Sequence, residues 1–293
     1  MSRPGAGRLR RATIGAALAC AGVAAIVTAT PRSAAQQGKP AKEKKSDAGF
    51  ADFPIDDDVK EVPCKDLHVC SEEKQRYFLF SPKEKKAPAA GYALLIVMPG
   101  GTGEASFNNF VRRIWQETIP EDWVVAQLVC VKWKPDQTVI WPTRFDRAAG
   151  QKFTTEEYFA AVVDDVQKVQ KLKIDPARIY QMGWSSGGPA EYAIALQEKH
   201  LVTGSYVAMS VFHDELLPDI KHAKGQAFFL DHSPDDERCK FEFATKAKEE
   251  LTKAGATVEL VTYQGGHGWN DDPYARMKKG FAWLEKNHGK PVR

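Results

Sequence analysis

The chain is expected to be an α/β protein built on an open, mostly parallel sheet with helices on both faces. Three observations carry that expectation. Short apolar runs alternate with segments whose apolar residues recur at helical spacing, from about residue 77 to residue 286. One of these runs, Tyr92–Met98 (YALLIVM), is apolar at every position, as a central strand covered on both faces must be. The chain has 293 residues, with 43% hydrophobic and 27% charged side chains, enough for one large core. That composition excludes a disordered chain, a collagen-like repeat and a multi-span membrane protein.

The elements follow in order. Strands are expected at Tyr77–Phe80, Tyr92–Met98 and Trp123–Val131. Between the last two, Phe107, Phe110, Val111, Ile114 and Trp115 form a helical stripe. Residues 132–153 are irregular, the longest connection, and by length a candidate rim of a binding site. Phe159, Val162, Val163, Val166, Val169 and Leu172 place a helix over about 155–172, with Thr154 or Thr155 as its cap and Glu156 and Glu157 favourable in its first turn. A strand at Arg178–Gly183 precedes a helix over about 187–199. Strands are expected at 205–211, 226–231 and 257–263, and helices at 237–253 and 273–286. There is no internal repeat and no long helical insertion between 204 and 237 that would make a large lid.

The N-terminal segment has a different character. Arg3, Arg8, Arg10 and Arg11 precede an uncharged run over 13–30, and Ser33-Ala34-Ala35 is a small-residue cleavage pattern. Residues 1–35 therefore read as a secretory signal peptide. The alternatives are a retained membrane anchor or a lipid on Cys20, and in each case the folded part is exported, to the periplasm or beyond. Residues 36–60 read as a flexible polar linker, leaving one domain over 61–293. The net charge of +3 comes from this leader. Its five Arg and no acid leave 36 basic and 38 acidic side chains in the remainder, a net of −2, and nothing suggests a nucleic-acid partner. Export permits disulfides, and Cys64 and Cys70 are expected to form a local bridge. Cys130 reads as a buried small hydrophobe, and Cys239 has no assigned state. No cysteine has zinc-site spacing and no acidic run completes a calcium loop, so no metal is expected.

The chemistry concentrates in three stretches. Gly183-Trp184-Ser185-Ser186-Gly187 matches G-x-S-x-G between an expected strand and an expected helix. A nucleophile projected from so tight a turn needs small residues on either side, which marks Ser185 as the nucleophile. A serine hydroxyl also needs a base, and the base needs an acid to orient it. Of the seven histidines, His267 in YQGGHGW has the flexible loop placement the base requires. The acid should lie between the two in sequence, at Asp236 or, as the alternative, Asp235. A developing oxyanion needs two fixed donors: the Ser186 N–H beside the nucleophile, and the N–H of Gly101, or alternatively Thr102, after the early strand. Trp184, Trp141, Phe212, His213 and Trp269 could wall a pocket. PGGTG lacks the residues of a phosphate loop or a dinucleotide fingerprint, so no cofactor is expected.

These stretches resemble the α/β-hydrolases of the single-domain carboxylesterase group, which includes polyhydroxybutyrate-depolymerase-like, feruloyl-esterase-like and phospholipase/carboxylesterase-like proteins. The resemblance rests on LLIVMPGGTG (94–103), DPARIYQMGWSSGGPAEYA (175–193), HSPDD (232–236) and GGHGW (265–269). It covers about residues 90–288. Such proteins usually write H-G-x-x-D around the acid, which favours Asp236, with Ser233 standing here in place of Gly. They often carry His-Gly where this chain has Pro99-Gly100, which leaves the second oxyanion donor open.

The resemblance implies an α/β-hydrolase fold and hydrolysis of small or polymer-borne esters through an acyl-enzyme, without metal or cofactor. Short-chain or aryl esters are the first expectation. A polyester or esterified-polysaccharide depolymerase, a peptidase of the prolyl-oligopeptidase type, and a non-catalytic binding relative are the alternatives. The sequence implies no oligomeric state. Membrane association follows only if the N-terminal segment is retained or Cys20 is lipidated.

Overall fold

The computed structural model describes residues 52–69 and 74–292. Its strands are β1 (Cys64–His68), β2 (Arg76–Phe80), β3 (Tyr92–Met98), β4 (Trp123–Leu128), β5 (Ile174–Trp184), β6 (Gly204–Ala208), β7 (Ala227–Asp231) and β8 (Thr257–Val261). They form one sheet in the order β1-β2-β4-β3-β5-β6-β7-β8. β1 pairs with β2, and β2 with β4, antiparallel; every later pairing is parallel. The helices are α1 (Asn108–Thr118), α2 (Thr155–Lys168), α3 (Gly188–Ala195), α4 (Glu242–Lys253) and α5 (Pro273–Asn287).

The seven apolar residues of β3 are all buried, because both faces of the sheet are covered. Alternation then divides them. Ala93, Leu95 and Val97 face the layer of α1 and α5, with Val111, Ile114, Met277, Phe281 and Leu284. Tyr92, Leu94, Ile96 and Met98 face α2, with Tyr158, Phe159, Val162, Val163 and Val166. Helix α4 adds Ala247 and Leu251 to a third cluster that holds Phe228 and Leu230 of β7. Between β6 and β7 the connection carries only two short 3-10 turns, at Asp214–Leu216 and Ile220–Ala223, so no large lid is present.

The strand register positions the site. Met98 lies beside Gly183, Trp184 beside Ala208, Ala208 beside Asp231, and Asp231 beside Val261. The carboxyl ends of β3, β5, β6, β7 and β8 therefore stop along one edge, and the loops that leave them share one rim.

Three expectations change. The expected Cys64–Cys70 bridge is overturned: among the described residues there is no disulfide, Cys64, Cys130 and Cys239 are free thiols, and Cys70 lies outside the described residues. β1 is the reason. It runs extended from Cys64, and the Val69 N–H, 3.1 Å from the Gln75 carbonyl, continues the hairpin. Five residues at about 3.3 Å each carry the chain roughly 16 Å from Cys64, whereas bridged Cα atoms lie within about 7 Å. The Cys64 thiol instead meets Asn108 Nδ2 at 3.6 Å, and burial pushes its pKa up to about 11. The second change concerns the linker drawn over 36–60. Val59 is buried, and Phe53 and Ile55 pack against the core, so the folded unit reaches back to them. The third is α4, which starts at Glu242 rather than 237 because residues 237–241 are held in the loop described below. The apolar N-terminal segment and Cys20 lie outside the described residues, among which no helix is long and apolar enough to cross a membrane.

Candidate active site

β5 ends at Trp184, and Ser185 turns the chain into a short 3-10 segment that leads into α3. Ser185 takes a φ of +51°, a left-handed conformation costing about 1–3 kcal/mol for a non-glycine residue. That conformation is what lifts the hydroxyl out of the turn. A Cβ on Gly187 would stand 2.2 Å from the Met98 carbonyl, so only glycine lets α3 start this close to β3. From the end of β6, the Ser210 hydroxyl donates to the Ser185 carbonyl at 2.7 Å and braces the turn.

His267 sits on the loop between β8 and α5. Its Nε2 is 3.1 Å from Ser185 Oγ, and its Nδ1 is 2.7 Å from Asp236 Oδ2. The carboxylate can only accept, so Nδ1 carries the proton and Nε2 is free to take one from the serine. The Asp236 side chain is fully buried, and its Oδ1 accepts the N–H groups of Arg238 (2.9 Å) and Cys239 (2.8 Å). Those two bonds keep 237–241 out of α4. Asp235 is exposed, and it is Asp236 that His267 bonds. The structure thus brings Ser185, His267 and Asp236 together and leaves Asp235 outside. Ser185 and His267 are half-buried and open to solvent.

The loop after β3 approaches from the other side. The Gly103 N–H closes a turn on the Gly100 carbonyl at 3.0 Å. The Ser186 hydroxyl donates to the Gly101 carbonyl at 2.8 Å, tying this loop to the residue after the nucleophile. Across a trans peptide the Thr102 N–H points opposite to the Gly101 carbonyl, and so away from Ser186. Neither the Gly101 N–H nor the Thr102 N–H is used in a backbone hydrogen bond.

The expected pocket residues divide. Trp184 is buried under the elbow, edge-on to Phe107 (5.8 Å), Phe110 (5.6 Å) and Trp269 (5.6 Å), which makes an aromatic flank beside the triad. Trp141 is buried beneath the β3 loop, its Nε1 donating to the Pro99 carbonyl at 2.9 Å. Phe212 is a core residue instead, buried against Tyr192 behind α3 at 4.9 Å between ring centres. His213 is half-exposed and turns to Glu215 and Phe243.

Several further residues support the triad, one of them, His232, from the HSPDD stretch itself. His232 is buried, and its Nε2 lies 2.6 Å from the Cys239 carbonyl and 3.2 Å from Asp236 Oδ2. Both are acceptors, so that nitrogen carries a proton, and burial holds the imidazole pKa below its ordinary value. Arg276 of α5 donates to the buried Asp231 at 3.0 Å and to the Asn270 carbonyl at 2.9 Å, anchoring the far end of the His267 loop. Tyr206 completes this cluster with a 2.8 Å bond to Asp231. Asp236, Cys239 and His267 present potential metal-ligand atoms within 4.8 Å of one another, but the first and last are already joined by the bond described above.

No family model matches the chain, and no curated protein matches it. Among solved structures it is similar to a thermostable esterase, at 21% identity and TM-score 0.54, over 73% of this chain and 59% of that one. It is also similar to an alpha/beta hydrolase enzyme from a Medee basin deep-sea metagenome library, at 14% identity and TM-score 0.54, over 76% and 97%. The fold is that of the α/β-hydrolases. A third likeness is to the propionate-bound esterase Est2 of the planctomycete Thermogutta terrifontis, at 16% identity and TM-score 0.56, over 77% and 95%. At these identities the likeness concerns the fold. Within this α/β-hydrolase frame, the serine-hydrolase chemistry rests on the triad itself.

Proposed function

We propose that the protein is a serine carboxylesterase that cleaves short-chain or aryl esters through an acyl-enzyme. The observation that carries this reading is the unbroken relay from Ser185 Oγ through both nitrogens of His267 to Asp236, at 3.1 and 2.7 Å. Esters are favoured over other acyl compounds by the resemblance of its motifs, by the esterases that share its fold and by a site without a large lid. The aromatic flank of Trp184, Trp269, Phe107 and Phe110 supports an aryl or short acyl group at the site.

The steps follow from the geometry. His267 Nε2 takes the hydroxyl proton as Ser185 Oγ attacks the ester carbonyl. Asp236 holds the ring through Nδ1 and balances the imidazolium charge. The Ser186 N–H and the Gly101 N–H receive the negative oxygen, a stabilisation worth about 3 kcal/mol per donor. The choice of Gly101 over Thr102 is supported by the Ser186 hydroxyl, which bonds the Gly101 carbonyl and so turns the Thr102 N–H away from Ser186. The alcohol leaves with the proton from His267, and water, activated by the same nitrogen, releases the acid. The leader over residues 1–35 supports an exported site of action.

A panel of p-nitrophenyl esters of increasing acyl length, assayed beside a feruloyl ester and a peptide anilide, tests the assignment. Ester turnover is expected, with kcat/KM falling as the acyl chain grows. Faster cleavage of the anilide than of every ester would overturn it.

A further inference from the structure

We infer that Ser233 is a positioning residue that locks the base loop onto the acid loop, and so holds His267 in line with Asp236. The inference rests on the Ser185–His267–Asp236 reading of the site. Ser233 is completely buried, two residues past the end of β7. Its Oγ accepts two backbone N–H groups from two different loops: Asp235 at 3.1 Å, on the acid's own loop, and Gly266 at 3.2 Å, next to the catalytic imidazole. Its carbonyl accepts the Asp236 N–H at 3.2 Å, closing the turn that presents the carboxylate. One side chain therefore touches the residue before the acid and the residue before the base.

The base loop needs such a tie. Gly265, Gly266 and Gly268 adopt φ values of +108°, +77° and +140°, conformations that glycine reaches freely and that leave the loop with much entropy to lose. Its other bonds hold it to itself and to α5: Gln264 N–H to Asp271 at 2.9 Å, Asn270 Nδ2 to the Gly265 carbonyl at 2.7 Å, and Arg276 to the Asn270 carbonyl at 2.9 Å. Among the described residues, the hydrogen bonds joining the two loops are His267 to Asp236 and Gly266 to Ser233. Without the second, the first alone must hold a flexible loop in register while the imidazole gains and loses charge. The resembling pattern writes glycine at this place, and glycine has no acceptor atom to offer. The tie is a feature of this chain.

The test compares Ser233→Ala and Ser233→Gly with the unaltered protein on p-nitrophenyl acetate, in the parent chain and in an Asp236→Asn background. Hydrogen exchange is followed at the Gly266 amide. We expect kcat to fall about tenfold with KM within about twofold, Gly266 to exchange faster, and the loss to shrink to less than about twofold once Asp236 can no longer orient His267. An unchanged kcat in both variants overturns the inference. So does an equal loss in the Asp236→Asn background, which shows a role in folding alone. Ser185→Ala serves as the control. Activity surviving in that variant overturns the reading of the whole site, whereas an inactive Ser185→Ala beside a fully active Ser233→Ala overturns only the role of Ser233.

Discussion

A carboxyl group without a partner lies directly behind the nucleophile. Glu191 of α3 is completely buried, both of its oxygens lack a hydrogen bond, and a Cβ on Gly183 would stand 2.8 Å from Oε1. Burial raises its pKa well above the ordinary 4.5, so it is held neutral in the fold. The folded chain then keeps a proton that the unfolded chain gives up. The stability tied to the neutral carboxyl is full below about pH 4.5 and is lost as pH rises towards the folded value. Glu191→Gln, which is neutral at every pH, should melt with the parent at about pH 4 and progressively above it as the pH rises past the ordinary carboxyl value. A melting difference independent of pH contradicts the account. At this scale the site was legible where chemistry demands a residue type: a G-x-S-x-G serine, a histidine among glycines and an aspartate between them. His232 was legible as the first residue of HSPDD, though not for its bond to the Cys239 carbonyl; the hydroxyl of Ser186 and the carboxyl of Glu191 act through contacts with residues distant in sequence or hidden behind the turn, and no local pattern announces them. Phe212 fits a pocket wall and a core position equally well by composition; its contact with Tyr192 decides for the core.

Elements followed from local chemistry where that chemistry was complete. α2 begins with Thr154 Oγ1 accepting the Glu157 N–H at 3.3 Å and Glu157 Oε2 accepting the Thr154 N–H at 2.8 Å, a reciprocal cap. Thr154→Ala should cost about 1 kcal/mol in urea unfolding with an unchanged m-value. A loss within error of zero contradicts the capping role. α4 shows the opposite case. Glu237 to Phe241 have helix-compatible residues, yet Asp236 claims the N–H groups of Arg238 and Cys239, and His232 claims the Cys239 carbonyl. The site delays the helix by a turn. β1 was missed because its sequence, CKDLH, mixes charge into an edge strand that pairs on one side only. The same strand carries the chain away from Cys64, which stays a free thiol.

At the scale of the whole molecule, the parallel register does the assembling. β3, β5, β7 and β8 end level, so the loop after β3, the elbow, the acid loop and the base loop converge although they are drawn from residues 99 to 270. The alternation of elements made that sheet readable in the sequence, and two-sided burial of YALLIVM placed its centre. Which loops touch, and through which atoms, depended on a register that no single segment encodes. The central claim is that these converging loops make Ser185 a nucleophile. Mass spectrometry of the protein quenched during turnover of p-nitrophenyl acetate tests it most directly. One acetyl group is predicted on the peptide carrying Ser185, lost entirely in Ser185→Ala together with the burst of p-nitrophenol. An acetyl group on any other residue, or a burst that persists in Ser185→Ala, would contradict it.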